Sequence, residues 1–392
     1  MQQVRALKST RVIDGYRSIP NGVVVYANDK IIAVGPQSRT PIPPGATVTD
    51  YGPFTISPGL IEMHAHGCKG INANTNAEAC LDFANFVGQR GTTTLLPTIN
   101  RKISVVLDAI KQQEKEGYKG ASMPYIHMEG PFLTPKNIKG YETADTYLLP
   151  PSIEKFEELW EESEGRIRMM GLGIELPGAL ELVRHMKTKP GLVVACAHTK
   201  TGYDEIMEAY ENGVTHGTHI FNVMTGLHHR RPGTVGAILT TDGITTEVIC
   251  DGFLVDLAAV DVAIRCKGID NIAIITDLSM AGLSDGDYLR DDGRWITVEN
   301  GVSYAKGVDR RKDNTMSGSS ITQNIGVRNI HKRLGYPLED AIRMATVTPA
   351  RILGLQHKIG SLQVGMDADI IVFDEDLTMQ EVIVKGTTIH QK

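Results

Sequence analysis

Residues 57–67 have the sequence Ser-Pro-Gly-Leu-Ile-Glu-Met-His-Ala-His-Gly, and the rest of the chain is organised around them. An apolar run that predicts a buried strand ends here in two histidines, His64 and His66. Side chains at positions i and i+2 lie on the same face of a strand, so both imidazoles can reach one point in space. Imidazole suits zinc and other first-row divalent ions. The pattern indicates a metal site, but such histidines can also be ordinary core residues, so the rest of the chain must decide.

The composition predicts a soluble globular protein. The chain has 392 residues, a formal net charge of −6 and 41% hydrophobic residues, which favours a sizeable core and excludes strong attraction to nucleic acid or anionic membranes. No stretch approaches the ~20 apolar residues of a membrane span, and the N-terminus lacks a signal-peptide pattern. The five cysteines show no CxxC spacing, which argues against a disulfide framework or a four-cysteine zinc site. We therefore expect reduced thiols in a cytoplasmic protein.

Both ends of the chain have the alternating pattern of antiparallel β-structure. Residues 1–55 contain short apolar runs separated by turn signals such as Asn28-Asp29, and residues 355–392 repeat this texture. Either end alone would be a marginal β-structure. We predict one small β-sandwich domain built from both chain ends, with residues 56–354 forming a different domain between them.

The middle of the chain alternates short apolar runs with helical patterns, which is typical of βα units around a parallel sheet. The predicted strands cover residues 56–64, 92–96, 124–129, 168–174, 192–198, 214–219, 246–250 and 272–277. Eight such units favour an α/β fold of the (β/α)8 TIM barrel type. Catalytic groups of that fold lie at the C-terminal ends of the strands.

Five of the eight predicted strands end in a possible metal ligand or proton carrier. Any one of them alone is a weak signal, since a buried histidine is more often a hydrogen-bonded core residue and a strand-end aspartate is often a helix cap. A barrel brings all these strand ends to one rim, which predicts a metal-dependent hydrolase. The candidate residues are His64, His66, Glu129, His198, His219 and Asp277.

Several motifs together resemble the amidohydrolase superfamily and, within it, the N-acetylglucosamine-6-phosphate deacetylase family. They are P-G-L-I-E-M-H-A-H-G, H-M-E-G-P-F-L, A-H-T, H-G-T-H-I-F-N-V-M and I-I-T-D, and the similarity extends over nearly the whole chain. The resemblance implies a metal-dependent deacetylase that acts as a homodimer on a small amino sugar. It implies no nucleic-acid or membrane partner.

The same resemblance implies which residues bind metal. Glu129, His198 and His219 would hold the main divalent ion, with zinc the first expectation. His64 and His66, with Glu129 bridging, would hold a second ion. Members of the family have one or two metals, and because this chain keeps both histidines we predict capacity for a binuclear site.

Asp277 is the predicted catalytic residue. An amine is a poor leaving group unless it is protonated, so a carboxylate that accepts the proton of the attacking water can then deliver it to nitrogen. The alternative is that Asp277 is a structural cap or a simple ligand.

The substrate-binding residues follow from the resemblance. Asn222, Val223 and Met316 would contact the sugar phosphate, and Arg230 matches the phosphate-binding arginine of the family. Arg231 lies beside it, and two arginines can bind a phosphate dianion through bidentate hydrogen bonds. The alternative for the arginines is a solvated basic turn.

Two positions depart from the family pattern. After Lys139-Gly140 the family usually has a histidine that contacts substrate, whereas this chain has Glu142 at the aligned position. A second histidine of the family is replaced by Leu254. A carboxylate near phosphate would repel it, so Glu142 could instead accept hydrogen bonds from sugar hydroxyls.

The leading hypothesis is hydrolysis of the N-acetyl amide of N-acetylglucosamine 6-phosphate, and the alternative is deacetylation of a different, possibly unphosphorylated, N-acyl amino sugar. Cyclic-amide hydrolases share the barrel and the first histidine pair, but they usually bridge their metals with a carboxylated lysine where this chain has Glu129. A scaffold protein without turnover is a further alternative, and the complete set of candidate ligands argues against it.

Overall fold

Parallel strands and helices alternate through the middle of the chain, and mostly antiparallel strands occupy both ends. The computed structural model describes residues 4–135, 147–290, 293, 295–306 and 318–392. The strands are β1 (Val4–Ile13), β2 (Ser18–Ala27), β3 (Lys30–Pro36), β4 (Thr47–Asp50), β5 (Thr55–Pro58), β6 (Leu60–Ala65), β7 (Gly67–Cys68), β8 (Ile71–Asn72), β9 (Thr92–Ile99), β10 (Ile126–Glu129), β11 (Ile167–Leu172), β12 (Val193–Cys196), β13 (His216–Gly217), β14 (Thr245–Ile249), β15 (Ile272–Ile275), β16 (Gly286–Leu289), β17 (Trp295–Glu299), β18 (Val302–Ala305), β19 (Ile370–Phe373), β20 (Met379–Val384) and β21 (Thr387–Gln391).

The helices of the described residues lie mainly between the parallel strands. They are α1 (Ala77–Gly88), α2 (Ile103–Glu116), α3 (Ile153–Glu162), α4 (Ala179–Met186), α5 (Tyr203–Asn212), α6 (Gly233–Thr240), α7 (Leu257–Lys267), α8 (Gln323–Arg328), α9 (Leu338–Ala345) and α10 (Val347–Ile352), with a π-helical turn over Asn329–Arg333. Among these described helices, none has both the length and the apolar character needed to cross a membrane.

Eight parallel strands form the predicted barrel, in the order β15-β14-β13-β12-β11-β10-β9-β6. Each of the eight strands predicted from the sequence overlaps one of them, so the α/β TIM-barrel prediction is confirmed. The apolar residues of the strands and of the surrounding helices form one large buried cluster. This arrangement gathers the C-terminal ends of the strands at one rim.

The first and last barrel strands are joined by side-chain and backbone hydrogen bonds. The side-chain amide of Gln323 donates to the carbonyl of Ile61 in β6 at 2.8 Å and to that of Ile274 in β15 at 2.9 Å. Further along, the backbone N–H of Asp277 donates to the carbonyl of His64 at 2.9 Å. The closure therefore places the predicted catalytic aspartate directly beside the histidine pair.

The strand predicted over residues 56–64 is two strands that belong to different sheets, which corrects the prediction. β5 pairs with β1 and β19 in the sheet of the chain ends, whereas β6 pairs with β9 in the barrel. Gly59 lies between them, and a Cβ atom there would lie 2.0 Å from the side-chain oxygen of Thr93. An unbroken apolar pattern cannot reveal that the chain leaves one sheet and enters another.

Both chain ends contribute to one eight-stranded sheet, in the order β21-β20-β19-β5-β1-β2-β3 with β4 beside β1. The predicted β-sandwich domain is built from this sheet, and apolar residues of both ends pack in one cluster. Arg5 of β1 forms a salt bridge with the fully buried Glu381 of β20, with 2.8 Å between nitrogen and oxygen. The pair therefore links the first and last parts of the chain.

The hydrogen bonds of β5 indicate where the first domain boundary lies. We predicted boundaries after residues 55 and 354, and we propose Gly59 as the better position for the first one. The support for this proposal is that β5 shares its hydrogen bonds with β1 and β19, not with the barrel.

Candidate metal centre

One carboxylate oxygen lies at the centre of three imidazoles on the barrel rim. Oε1 of Glu129, the last residue of β10, lies 2.9 Å from Nε2 of His219 and 3.1 Å from Nε2 of His198. Nε2 of His64 lies 3.6 Å from the same oxygen. Residues from four barrel strands or the loops that follow them therefore converge on one point.

The other oxygen of Glu129 faces the second half of the cluster. Oε2 lies 3.3 Å from Nε2 of His66, and this nitrogen lies 3.1 Å from Oδ1 of Asp277. Nε2 of His64 is 3.9 Å from the same aspartate oxygen. Glu129 thus lies between His198 and His219 on one side and His66 on the other.

The donor set fits a divalent cation. One group of candidate ligand atoms comes from His64, His66 and Asp277 and another from His64, Glu129 and His219, with the atoms of each group within 4.8 Å of one another. Nε2 of His64 is buried and has no hydrogen-bond partner among the described residues. Imidazole nitrogens and carboxylate oxygens directed at one point are the ligands that zinc and related ions use.

Three of the strand-end residues have a left-handed backbone. The φ angles of His198, His219 and Asp277 are 43°, 30° and 49°. Left-handed conformations are uncommon for residues other than glycine, and each costs about 1–3 kcal/mol. The surrounding structure must stabilise these conformations, and the side chains of all three residues reach the cluster.

Charge interactions keep the two central carboxyl groups ionised. Burial acts to raise the pKa of Glu129, but the imidazoles of His198, His219 and His66 outweigh it and hold that pKa well below the ordinary value. Burial also acts to raise the pKa of Asp277, but the hydrogen bond and charge of His66 lower it overall. Both groups can therefore act as anionic ligands or proton acceptors at neutral pH.

Comparison with known proteins decides the family. The model of the amidohydrolase family matches residues 55–389, which is most of the chain. The protein belongs to the amidohydrolase family. Enzymes of this family use a divalent metal, and this amidohydrolase is a hydrolase of amide carbon–nitrogen bonds.

Its relatives include deacetylases of two different amino-sugar phosphates. An N-acetylglucosamine-6-phosphate deacetylase of Vibrio furnissii is 33% identical over 355 residues, which cover 88% of this chain and 85% of the relative. An N-acetylgalactosamine-6-phosphate deacetylase of Escherichia coli O157:H7 is 32% identical over 352 residues, covering 88% of this chain and 90% of the relative.

The amidohydrolase is also similar to a solved complex. The structure of an N-acetyl-D-glucosamine-6-phosphate deacetylase mutant from Mycobacterium smegmatis, bound to N-acetyl-D-glucosamine-6-phosphate, matches with a TM-score of 0.85 and 28% identity over 99% of each chain. The likeness extends over both the barrel and the sheet of the chain ends.

Two buried residues beneath the centre of this amidohydrolase were not predicted. Glu247 of β14 accepts hydrogen bonds from Nδ1 of His64 and, at 3.1 Å, from the backbone N–H of His219. Nε2 of His216 lies 3.4 Å from its other oxygen. Burial acts to raise the pKa of Glu247, but His64 and His216 outweigh it and hold that pKa well below its usual range. A charged residue inside a buried apolar strand is the signal that would have found it.

Glu62 and His127 also lie beneath the centre. Glu62 accepts a hydrogen bond from the backbone N–H of His64 at 3.0 Å, and burial raises its pKa to about 8. Nδ1 of His127 donates to the carbonyl of Met63 at 2.9 Å, and burial lowers the pKa of this imidazole to about 3. Both side chains thus hydrogen-bond to the backbone of β6, the strand that carries His64.

The predicted substrate residues are distributed over the loop that follows β13. The side chain of Asn222 lies against the carbonyl of His219 at 3.4 Å, and Val223 has a left-handed backbone with φ of 51°. Arg230 and Arg231 are exposed in a turn closed by hydrogen bonds between His228 and Arg231. No contact within the described ranges connects either arginine to the ligand cluster. Glu142 and Met316 lie outside the described residues.

Proposed function

We propose that this amidohydrolase removes the acetyl group of N-acetylglucosamine 6-phosphate, and yields glucosamine 6-phosphate and acetate. The observation that carries the proposal is the similarity, over 99% of the chain, to a deacetylase solved with N-acetyl-D-glucosamine-6-phosphate bound. The convergence of Glu129, four histidines and Asp277 supports amide hydrolysis at the same rim.

A second candidate substrate is N-acetylgalactosamine 6-phosphate. The observation that favours it is the 32% identity to the Escherichia coli enzyme named for that sugar, which is nearly equal to the 33% identity to the Vibrio furnissii enzyme. An unphosphorylated sugar, which the sequence left open as an alternative, is not favoured because the relatives from Vibrio furnissii, Bacillus subtilis and Escherichia coli are named for sugar phosphates.

We propose zinc as the divalent metal, on the basis of the imidazole-rich donor set. Glu129, His198 and His219 would hold one ion, and His64 and His66 would hold a second with Glu129 between the two. When bound, a divalent ion supplies a Lewis acid that polarises the amide carbonyl and lowers the pKa of water.

We propose that Asp277 is the general base and then the general acid. Its carboxylate lies at the rim beside His66, and its side chain is 20% exposed, so water and substrate can reach it. The carboxylate takes a proton from the attacking water and then transfers it to the leaving nitrogen, which departs as a neutral amine. Left-handed geometry at Asp277 directs its side chain toward this position.

Arg230 and Arg231 are the proposed phosphate ligands. Two guanidinium groups in adjacent positions can form bidentate, charge-assisted hydrogen bonds with a dianion. Asn222 and Val223, which follow the ligand His219 in the same loop, are proposed to contact the sugar. Glu142 and Met316 remain proposals for the same site on the basis of sequence resemblance.

We also propose a homodimer in the cytoplasm. The dimer rests on the sequence resemblance to the deacetylase family. The location is supported by the cysteines, since Cys68, Cys80, Cys196 and Cys250 are buried free thiols and Cys266 is an exposed one.

Acetate release from three substrates tests the proposed function. The zinc-loaded protein is assayed with N-acetylglucosamine 6-phosphate, N-acetylgalactosamine 6-phosphate and unphosphorylated N-acetylglucosamine at equal concentrations. We expect the highest kcat/KM for N-acetylglucosamine 6-phosphate. A preference for the galactosamine compound would support the second candidate, and equal activity without phosphate would contradict both.

Replacement of the arginines tests the phosphate assignment. We expect Arg230→Ala and Arg231→Ala to raise KM for the phosphorylated substrate by about 10–100-fold, the equivalent of hydrogen bonds to a charged group of about 1.5–3 kcal/mol. Arg39→Ala is a matched control, because Arg39 is an exposed arginine of the β-domain. The assignment fails if neither Arg230→Ala nor Arg231→Ala changes KM more than the control does.

A further inference from the structure

Glu247 is a buried carboxylate that hydrogen-bonds to both halves of the candidate ligand cluster. One half is the histidine pair, His64 and His66, and the other is the set Glu129, His198 and His219. Glu247 lies in β14 and is fully buried. Its Oε1 accepts from Nδ1 of His64, which belongs to the histidine pair, and from the backbone N–H of His219, which belongs to the three-residue set. One oxygen atom thus touches a residue from each half.

The contact with His64 determines how that imidazole can act. A carboxylate oxygen accepts this hydrogen bond, so Nδ1 of His64 carries a proton, and a ring that binds a metal ion would do so through the lone pair of Nε2. Nε2 is the atom that faces Glu129 and Asp277, at 3.6 Å and 3.9 Å. A carboxylate behind a ligating histidine fixes its tautomer and ring orientation and raises its basicity as a ligand.

The contact with His219 acts on the backbone. The φ angle of His219 is 30°, an unfavourable conformation that needs support from its surroundings. The hydrogen bond from its N–H to Glu247 supplies such support at 3.1 Å. The second oxygen of Glu247 is held by Nε2 of His216 at 3.4 Å, and His216 itself bonds to Thr245 through Nδ1 at 2.8 Å. The carboxylate is therefore fixed from both sides.

We infer that Glu247 is a positioning residue that sets the affinity of the ion bound by His64. The inference rests on the proposed metal-dependent function, because it assigns a role within the same site. It assigns no contact between Glu247 and the substrate. Its effect is expected in metal binding first and in turnover as a consequence.

Metal affinities of three variants test the inference. Wild type, His64→Asn, Glu247→Gln and Glu62→Gln are freed of metal, dialysed against a series of buffered Zn²⁺ concentrations, and analysed for bound zinc. His64→Asn identifies the ion that His64 contacts. We expect Glu247→Gln to lower the affinity for the same ion by about 10–100-fold, which is typical when a residue that hydrogen-bonds to a metal ligand is lost.

Glu62→Gln is the matched control. Glu62 is also fully buried and also bonds to His64, but it accepts its hydrogen bond from the backbone N–H and not from the imidazole ring. We expect this variant to bind zinc like the wild type. The inference would be overturned if Glu247→Gln bound zinc with wild-type affinities, or if His64→Asn lowered the affinity for neither ion.

A measurement on the unaltered protein covers the case in which Glu247→Gln does not fold. Nitrogen-15 NMR of the zinc-loaded wild type, with the His64 signals assigned by their absence in His64→Asn, reports which ring nitrogen carries the proton. We expect the proton on Nδ1, and a proton on Nε2 would overturn the inference. Failure of the proposed function is a separate result: the zinc-loaded wild type would release no acetate while the zinc affinities still followed this pattern.

Discussion

We expect replacement of Asp277 by Asn to lower kcat by about 10²–10⁴-fold, the usual contribution of general acid–base catalysis. The amide keeps the size of the carboxylate but cannot take a proton from water or return it to the leaving nitrogen. Because the proposed main ligand set is Glu129, His198 and His219, we expect the variant to retain zinc and to bind substrate with a similar dissociation constant. Single-turnover acetate release and zinc analysis of the same sample measure both effects.

Asp251→Asn is the matched control for this substitution. Asp251 follows the neighbouring strand β14, and its carboxylate accepts from the backbone N–H groups of Phe253 and Leu254 at 2.8 Å and 2.9 Å. An amide oxygen can accept the same two hydrogen bonds, so we expect little loss of turnover there. Near-normal kcat in the Asp277 variant would show that this carboxylate is only a cap or a ligand.

We expect removal of divalent metal to lower turnover by about 10³-fold or more, since a Lewis acid contributes several kcal/mol to the reaction. We also expect a lower melting temperature, because an ion that binds only the folded state stabilises it by mass action. Without the ion, Glu129 and four imidazoles share the rim with no cation between them. Activity, zinc content and thermal unfolding are measured before chelation, after it, and after zinc is restored.

Two outcomes of the metal experiment would contradict the proposals. Full activity in protein that holds far less than one ion per chain would exclude a metal-dependent mechanism. A maximum of one ion in fully loaded protein would contradict the prediction of a binuclear site. We expect recovery of both activity and melting temperature when zinc is restored, since chelation changes no covalent bond.

The barrel was predictable because each strand carries its own local signal. Short apolar runs bounded by glycines and polar turns mark all eight strands, and helical patterns fill the intervals between them. The split at Gly59 was not predictable in the same way. Leu60 to Ala65 and Thr55 to Pro58 are all buried, so hydrophobicity alone does not distinguish a strand of the barrel from a strand of the terminal sheet.

The candidate ligands at the strand ends were predictable from the sequence, whereas the buried residues that hydrogen-bond to them were not. His198, His219 and Asp277 were identified because a barrel places every strand end on one side, which requires no knowledge of side-chain contacts. Glu247 and His216 lie within strands, and their partners come from other parts of the chain. Only the order of strands around the barrel shows that the buried charge of Glu247 meets the imidazoles of His64 and His216.

The pairing of β5 with β19 has a consequence for the order in which the protein folds. β5 is followed after one residue by β6, which carries His64, whereas its antiparallel partner, residues Ile370–Phe373, lies far away in the sequence. The strand that leads into the histidine pair therefore cannot complete its hydrogen bonds until synthesis has passed Phe373. Since pairings between segments that are distant in sequence form slowly, we expect this pairing to be a late step of folding.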